Sequence, residues 1–279
     1  KMTTLIIKKT KNILSKTPFF APIKKTYYLA RRTARRAYNF FFPTSFILLY
    51  HRIAESENDP NQLSVSPLNF EDHIIYLKKK FSITSMNRLA DNLRSGKIKR
   101  NSVAITFDDG YSDNLYNALP ILEKHGVPAT IFITAGKIGD TAPFFWEKDV
   151  PEKDRGKCVS AEELQKLSSS PVIEIGAHTV SHPKLNRLTS EEQTKEIAES
   201  KSVLEKLTGM SVMSFAYPFG GKGTFTEDTA NIIVKSGFNY ACSNIHRRVN
   251  KNSDISALPR FIVRNWTAKE LEKEMKKWL

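Results

Sequence analysis

Short apolar segments alternate with helix-like segments along most of this chain. Seven segments rich in β-branched and aromatic residues are predicted strands. They start at Phe46, Val103, Pro128, Val172, Val212, Phe238 and Arg260. Capping-box spacing predicts helix starts at Ser160 and Thr189, and Gly209 and Gly237 predict helix ends. This alternation over residues 46–279 predicts an α/β fold, a distorted or incomplete (β/α) barrel of about seven strands.

The net charge of +14 is concentrated at the start of the chain. The first 53 residues hold 12 Lys and Arg and no acidic residue, whereas the other 226 carry 31 basic and 29 acidic side chains. Aromatic clusters such as Phe19-Phe20 and Phe40-Phe41-Phe42 lie between the basic residues. We therefore predict a basic, aromatic N-terminal arm over residues 1–45, ahead of the barrel domain.

The composition of the arm suits an anionic membrane surface. Apolar groups insert at such a surface, and each Lys or Arg near the headgroups contributes about 1 kcal/mol. A helix packed on the domain and a nucleic-acid contact are the alternatives, and we expect no nucleic acid because the body contains no recognised reading motif. Lysines interrupt every long apolar stretch of the arm, so no secretory signal is predicted. The expected location is the cytoplasm, peripheral to the inner membrane, with a secreted or envelope location left open.

Two adjacent carboxylates, Asp108 and Asp109, end the predicted strand that starts at Val103, and Gly110 follows them. Neighbouring side chains on an extended backbone point to opposite sides, so one acid can hold a metal while the other handles protons. The alternative is a polar turn after the strand, in which Asp113 caps the next helix.

Two histidines four residues apart, His178 and His182, follow another predicted strand. With Asp109 they form a set of two imidazoles and one carboxylate, which leaves room for water as catalytic zinc and iron sites require. Two such histidines alone are explained equally well as capping or core residues. The acids at a second strand end favour a metal site, because strand ends of one barrel share a face.

These segments resemble a known family, the polysaccharide deacetylases, which form the NodB homology group of carbohydrate esterases. Thr106-Phe-Asp-Asp-Gly110 and His178-Thr-Val-Ser-His182 are similar to its first two motifs. Further similar segments are Leu49-Tyr-His-Arg-Ile53, Ala118-Leu-Pro-Ile-Leu122, Pro128-Ala-Thr-Ile-Phe-Ile133, Phe215-Ala-Tyr-Pro-Phe-Gly220 and Leu258-Pro-Arg-Phe261. Together they extend the resemblance over roughly residues 46–265.

The resemblance implies metal-dependent removal of acyl groups from amino sugars. It assigns Asp109, His178 and His182 as ligands of one divalent metal ion, most often zinc, and Asp108 as the general base. The third motif implies contacts to the substrate or to the oxyanion. Its members here are Tyr217, Pro218 and Phe219, the last through its backbone N–H.

Two features of the family are absent. Ala216 stands where many members have an arginine that orients the base, and no Leu-x-His motif supplies the general acid, since Leu258-Pro-Arg260 lies near its place. His51 is therefore the first candidate for the general acid and His246 the second, with a structural or surface histidine as the alternative for each. Arg260 is a candidate for the orienting or substrate-binding role, with an ordinary ion pair as its alternative.

The predicted function is hydrolysis of N-acetyl groups on N-acetylhexosamine units of a bacterial surface polysaccharide or of its lipid-linked precursor. Phe144, Phe145 and Trp146, in an irregular insertion over residues 137–159, fit either a sugar-stacking wall or a flap packed on the core. O-deacylation or deformylation of a glycan is the alternative chemistry. A catalytically weak glycan-binding module and a basic nucleic-acid-binding protein are alternatives from other classes.

Overall fold

The computed structural model describes residues 43–278. The predicted arm over residues 1–45 therefore lies outside the described residues, apart from its last three. Across residues 43–278, no helix combines the length and the apolar character needed to cross a bilayer.

The described chain alternates strands and helices, as the sequence predicts. The strands are β1 (Ser45–Tyr50), β2 (Arg52–Ile53), β3 (Ser64–Val65), β4 (Ser82–Ile83), β5 (Ser102–Phe107), β6 (Ala129–Ile133), β7 (Ile173–Ala177), β8 (Ser214–Ala216), β9 (Tyr240–Cys242) and β10 (Phe261–Ile262). The α-helices are α1 (Pro67–Lys80), α2 (Met86–Arg94), α3 (Leu119–His125), α4 (Ala161–Ser169), α5 (Ser190–Thr208), α6 (Glu227–Lys235) and α7 (Ala268–Trp278).

One parallel sheet organises the domain, in the order β10-β1-β5-β6-β7-β8-β9, with β4 paired to the start of β5. Ser45 lies opposite Ser102, so the strands begin at the same end of the sheet. The two outer strands are joined through their flanking residues. Leu258 N–H donates to Ala241 O at 2.7 Å, and Ser243 N–H donates to Leu258 O at 2.8 Å. The predicted distorted (β/α) barrel is confirmed.

Alternate residues of the strands face two separate apolar layers. In β1, Phe46, Leu48 and Tyr50 belong to the layer that contacts the helices, whereas Ile47 enters the barrel interior. All six residues of β1 are buried. A parallel strand covered on both faces needs apolar side chains on both, which explains its continuous apolar run.

Helix α2 closes the barrel at the end where the strands begin. Its Met86, Leu89 and Leu93 pack in the interior layer beside Ile47 and Phe132. The opposite face of the helix is exposed to solvent. The barrel is therefore filled from its amino end, and its carboxyl end is left for a site.

The helix starts predicted at Ser160 and Thr189 are confirmed as capping boxes. Asp113, by contrast, does not cap the following helix, and the π-helical turn Asn114–Ala118 precedes α3. The Asp113 carboxylate instead accepts hydrogen bonds from the Arg52 Nε–H and from the Ile53 N–H. The capping alternative was wrong, because charge-assisted bonds are stronger than bonds between neutral groups and Arg52 provides one.

Candidate active site

The turn after β5 places two carboxylates at the carboxyl end of the barrel. Asp108 N–H still donates to Tyr50 O at 3.1 Å, as in the strand. Asp109 then adopts φ 76° and Gly110 φ 82°. A φ of 82° strains any other residue, and a Cβ at Gly110 would also lie 3.0 Å from the Ile133 side chain, so glycine is favoured there. This tight turn directs Asp108 and Asp109 to different partners.

Asp109, His178 and His182 converge as the sequence predicts. Their ligand atoms lie within 4.8 Å of one another, and all three residues are buried. Asp109 Oδ1 is 3.5 Å from His178 Nε2 and 3.4 Å from His182 Nε2. The His178 Nδ1–H donates to Ala216 O at 2.8 Å, which leaves Nε2 with a lone pair directed at the cluster.

This donor set fits one divalent metal ion. Metal–nitrogen bonds of about 2.0–2.1 Å in a tetrahedron place neighbouring ligand atoms about 3.3 Å apart, close to the two observed separations. Three protein ligands leave one position open, which is the pattern of catalytic rather than structural sites. The backbone is strained at two of the three ligands, since His182 has φ 58° as well as Asp109 at 76°.

The charges of the cluster favour a cation. Burial by itself would raise the pKa of Asp109, but hydrogen bonds with His178 and His182 outweigh it and the pKa is lowered. Burial would likewise lower the pKa of His178, but the charge of Asp108 and the contact with Asp109 raise it. Asp109 is therefore ionised, and the site carries negative charge when its histidines are neutral.

Asp108 is held by a buried arginine. Arg260 is 0% exposed, and its two terminal nitrogens donate to Asp108 Oδ1 at 2.7 Å and Oδ2 at 2.6 Å. The same guanidinium donates to Asn244 Oδ1 at 2.7 Å and to Ser243 O at 3.2 Å. Arg260 thus makes the bidentate contact that Ala216 cannot make. Sequence reasoning considered Arg260 but missed Asn244 and Ser243, because nothing local marks them.

The pocket above these groups has a volume of ≈ 350 Å³. Its lining residues are His51, Asn61, Leu63, Asp108, Asp109, Phe145, Trp146, His178, His182, Phe219 and Asn244. His51 is half-buried there, and burial lowers its pKa although Asp109 and Asp108 act in the opposite direction. His246 is exposed and does not line this pocket.

The third motif contributes Phe219 to the pocket and keeps Tyr217 out of it. Phe219 adopts φ 62°, and its backbone N–H donates no hydrogen bond within residues 43–278. Tyr217 is buried elsewhere, where its hydroxyl donates to Ser256 O at 2.7 Å and its ring stacks on Phe225 at 3.8 Å. Pro218 is also buried. Of these three residues, the structure thus places only Phe219 at the pocket surface.

The three aromatic residues of the insertion have different roles in packing. Phe144 is 3% exposed and stacks on Trp146 at 4.4 Å. The Trp146 ring lies 4.8 Å from that of His182, and Phe145 is 59% exposed at the pocket edge. Phe144 therefore packs on the core, whereas Phe145 and Trp146 form an aromatic wall of the pocket, and stacking of a sugar on this wall stays a prediction.

A buried ion-pair network fixes the insertion to the barrel. Arg52 Nε–H donates to Asp113 at 3.0 Å, and its NH1 group donates to Asp154 O at 2.7 Å and lies 3.7 Å from Glu147. Trp146 Nε1–H donates to the Tyr111 hydroxyl at 3.3 Å. The aromatic wall is thus held next to the metal cluster by contacts that the sequence did not predict.

Comparison with known proteins agrees with this site. The model of the family described as polysaccharide deacetylase matches residues 95–241. The chain is 30% identical to the Bacillus subtilis protein YxkH, over 78% of this chain and 70% of that one. It is 27% identical to a Staphylococcus aureus poly-beta-1,6-N-acetyl-D-glucosamine N-deacetylase, over 87% and 82% of the two chains.

A solved structure shares the fold. The Streptococcus pyogenes deacetylase PplD, in complex with acetate, superposes with a TM-score of 0.70 at 20% identity, over 83% of this chain and 98% of that one. The family match spans more than half of the chain and includes Asp108, Asp109, His178 and His182. This chain therefore belongs to the polysaccharide deacetylase family.

Proposed function

We propose that this protein is a metal-dependent hydrolase that removes N-acetyl groups from N-acetylhexosamine units of a bacterial surface polysaccharide. The observation that carries the proposal is the arrangement of the two acids. Asp109 faces the two histidines, while Asp108 next to it is oriented by both arms of Arg260. A glycan-binding module needs a sugar pocket but no oriented base beside a metal cluster.

The residues divide the work of amide hydrolysis. A divalent ion held by Asp109, His178 and His182, for which we propose zinc, would supply Lewis acidity and activate water. Asp108 accepts the proton of the attacking water, since each of its oxygens keeps a lone pair beside its bond to Arg260. The Phe219 N–H donates to the oxyanion that forms from the acetyl carbonyl. His51, at the pocket wall, is the candidate that protonates the departing amine.

The pocket walls support a pyranose substrate. Phe145 presents an exposed ring beside Trp146, which is the kind of surface on which the apolar face of a sugar packs. The Staphylococcus aureus relatives, at 27–28% identity, are named for a β-1,6-linked N-acetylglucosamine polymer. That polymer is the first substrate to test, and a lipid-linked N-acetylhexosamine is the second. The proposed location is peripheral to a membrane.

The test is acetate release from β-1,6-linked N-acetylglucosamine oligomers and from lipid-linked N-acetylhexosamine by the zinc-loaded protein. We expect Asp108→Asn to lower kcat by roughly 10²- to 10⁴-fold with metal content unchanged, because it removes the base and not a ligand. His178→Ala should lose both metal and activity. O-acetylated and N-formylated sugars serve as competing substrates. If the wild type binds zinc and prefers an O-acetylated or N-formylated sugar, the proposed N-acetyl specificity is wrong. If it binds sugar without hydrolysing any of these substrates, the binding-module alternative holds.

A further inference from the structure

The end of the barrel opposite the active site is strongly basic. All seven α-helices of the described chain carry a basic residue in the last turn. Since the barrel helices return the chain to the strand starts, these turns gather at the amino end of the barrel. Helices α4, α5, α6 and α7 have acidic first turns, which point to the other end. The helix termini thus place basic residues at the amino end of the barrel and acidic residues at its carboxyl end.

A concave pocket lies within this basic end, beside the exposed face of α2. Its volume is ≈ 290 Å³. Its lining residues are Ser82, Ile83, Thr84, Arg88, Asn92, Lys97, Lys99 and Ser102. Three cations and several hydroxyl groups thus surround one cavity, and Lys99 Nζ donates to Ser82 Oγ at 2.8 Å across its wall.

The cations of the pocket are not neutralised by the protein. Within residues 43–278, no carboxylate lies at ion-pair distance from Arg88, Lys97 or Lys99. The acid on the same face of α2 is Asp91, which pairs with Arg94 at 3.3 Å. Thr84 also lines the pocket, and its buried hydroxyl has no hydrogen-bond partner in the described chain. Cations without a carboxylate partner, grouped around a cavity, are suited to binding an anion such as phosphate.

The first strand of the barrel also begins at this end. Ser45 begins β1 opposite Ser102, and Ser102 lines the pocket. The Ser45 and Ser102 hydroxyls are hydrogen-bonded at 2.6 Å. The sequence before Ser45 carries Lys and Arg and no acid. The basic stretch of sequence therefore immediately precedes the strand that begins beside the pocket.

We propose that the amino end of the barrel docks on an anionic phospholipid bilayer, with one headgroup phosphate bound between Arg88, Lys97 and Lys99. The active site then opens at the far end of the barrel. A six-residue strand such as β1 places it about 20 Å from the docked face. The enzyme thus receives glycan chains that extend away from the bilayer, rather than sugars lying in the headgroup plane. The proposed orientation of the active site towards the glycan rests on the proposed function. Binding of the amino end to the bilayer does not depend on that function.

The test uses the full-length chain in a sedimentation assay with phosphatidylcholine vesicles that contain about 30% phosphatidylglycerol. Combining Arg88→Gln, Lys97→Gln and Lys99→Gln should weaken binding on the order of 100-fold, because each cation near the surface contributes roughly a factor of five. The matched control combines Lys148→Gln, Lys157→Gln and Lys222→Gln, which removes three charges from the opposite end and should leave binding unchanged.

Equal losses in the two triple variants would show that only net charge matters and would overturn the docking face. If neither triple variant binds the vesicles more weakly than the wild type, the arm alone accounts for binding, and the proposed docking face is wrong. If the wild type binds inorganic phosphate but does not bind the anionic vesicles, the pocket is a site for free phosphate. The proposal of membrane docking would then be wrong. Acetate release from soluble oligomers, measured in parallel, should stay at the wild-type rate in the pocket variant.

Discussion

Arg260 makes the bidentate contact to the Asp108 carboxylate that Ala216, in the third motif, cannot make. Its guanidinium donates to both oxygens of Asp108. The guanidinium is held in place by further contacts with Asn244, Ser243 and the Phe132 ring. A lysine offers a point charge and cannot make this planar bidentate contact. The position of the Asp108 carboxylate therefore depends on the shape of Arg260 as well as on its charge.

Arg260→Lys should lower kcat by about 10- to 100-fold and leave KM and zinc content close to the wild-type values. The reason is that a positioned base contributes roughly 10²- to 10⁴-fold and the variant loses orientation rather than the base itself. Steady-state acetate release and metal analysis measure the two quantities. Arg94→Lys, at the other end of the barrel, is the matched control. A rise in KM with unchanged kcat would instead assign Arg260 to substrate binding.

At the residue scale the sequence predicts the metal set and leaves its surroundings open. Asp109, His178 and His182 stand in short motifs, whose spacing is visible in one dimension. Asn61 and Leu63 reach the same pocket from the loop before β3, and Asn244 reaches it from the loop after β9; none of them has a local signature. The roles of Arg260 and Tyr217 could not be separated by motif position, because both side chains are fully buried and only their hydrogen-bond partners differ. One is aimed at Asp108, and the other is bonded to Ser256.

The insertion over residues 137–159 is an element built without regular structure of its own. It contains two single 3₁₀ turns, Phe145–Glu147 and Glu152–Asp154, and it is fixed by contacts to Arg52 and Tyr111. Gly156 is required there, since a Cβ would lie 2.2 Å from the Tyr111 ring. Periodicity could predict the long helices and the buried strands. It could not predict this segment or the two-residue strands β2 and β3, which are too short to show a period.

Phe145→Ala should raise KM for oligosaccharides by about 3- to 10-fold with little change in kcat. The ring is 59% exposed, so its loss costs the fold little, but a sugar stacked on it would lose roughly 0.5–1.5 kcal/mol. Kinetics with oligomers of increasing length measure the effect. Tyr116→Ala removes another aromatic ring, 60% exposed and outside the pocket, and should not change KM. An unchanged KM in Phe145→Ala would exclude this ring from sugar binding.

At the scale of the whole molecule, one buried histidine connects three parts of the barrel wall. His73 on α1 is 0% exposed and accepts at Nδ1 from the Tyr50 hydroxyl of β1 at 3.2 Å. Its Nε2–H donates to Trp266 O, just before α7, at 2.6 Å. Only the contact with Tyr50 requires the neutral ring, since a protonated imidazole has no acceptor for the Tyr50 hydroxyl. Burial lowers the pKa of His73 to about 4, against the usual 6.5, although the bond to Trp266 opposes the shift.

The stability of the domain should therefore depend on pH through His73. In the unfolded chain His73 takes up a proton below about pH 6.5, whereas in the fold it resists protonation until about pH 4. The stabilising contribution is complete above pH 6.5 and is lost as the pH falls towards 4. We expect His73→Gln to be less stable than the wild type at pH 7.5, with the gap narrowing by about 2–3 kcal/mol at pH 4.5.

Urea unfolding of both proteins at the two pH values measures this difference. Comparing the wild type with the variant cancels the contribution of the active-site histidines, which lie elsewhere and make no contact with His73. Tyr50→Phe provides a second comparison, because it removes the hydroxyl that donates to Nδ1 and so should weaken the preference for the neutral ring. A gap between wild type and His73→Gln that stays constant from pH 7.5 to 4.5 would mean that His73 titrates alike in both states. The connection between α1, β1 and the start of α7 would then depend on packing alone, and not on the protonation state of this ring.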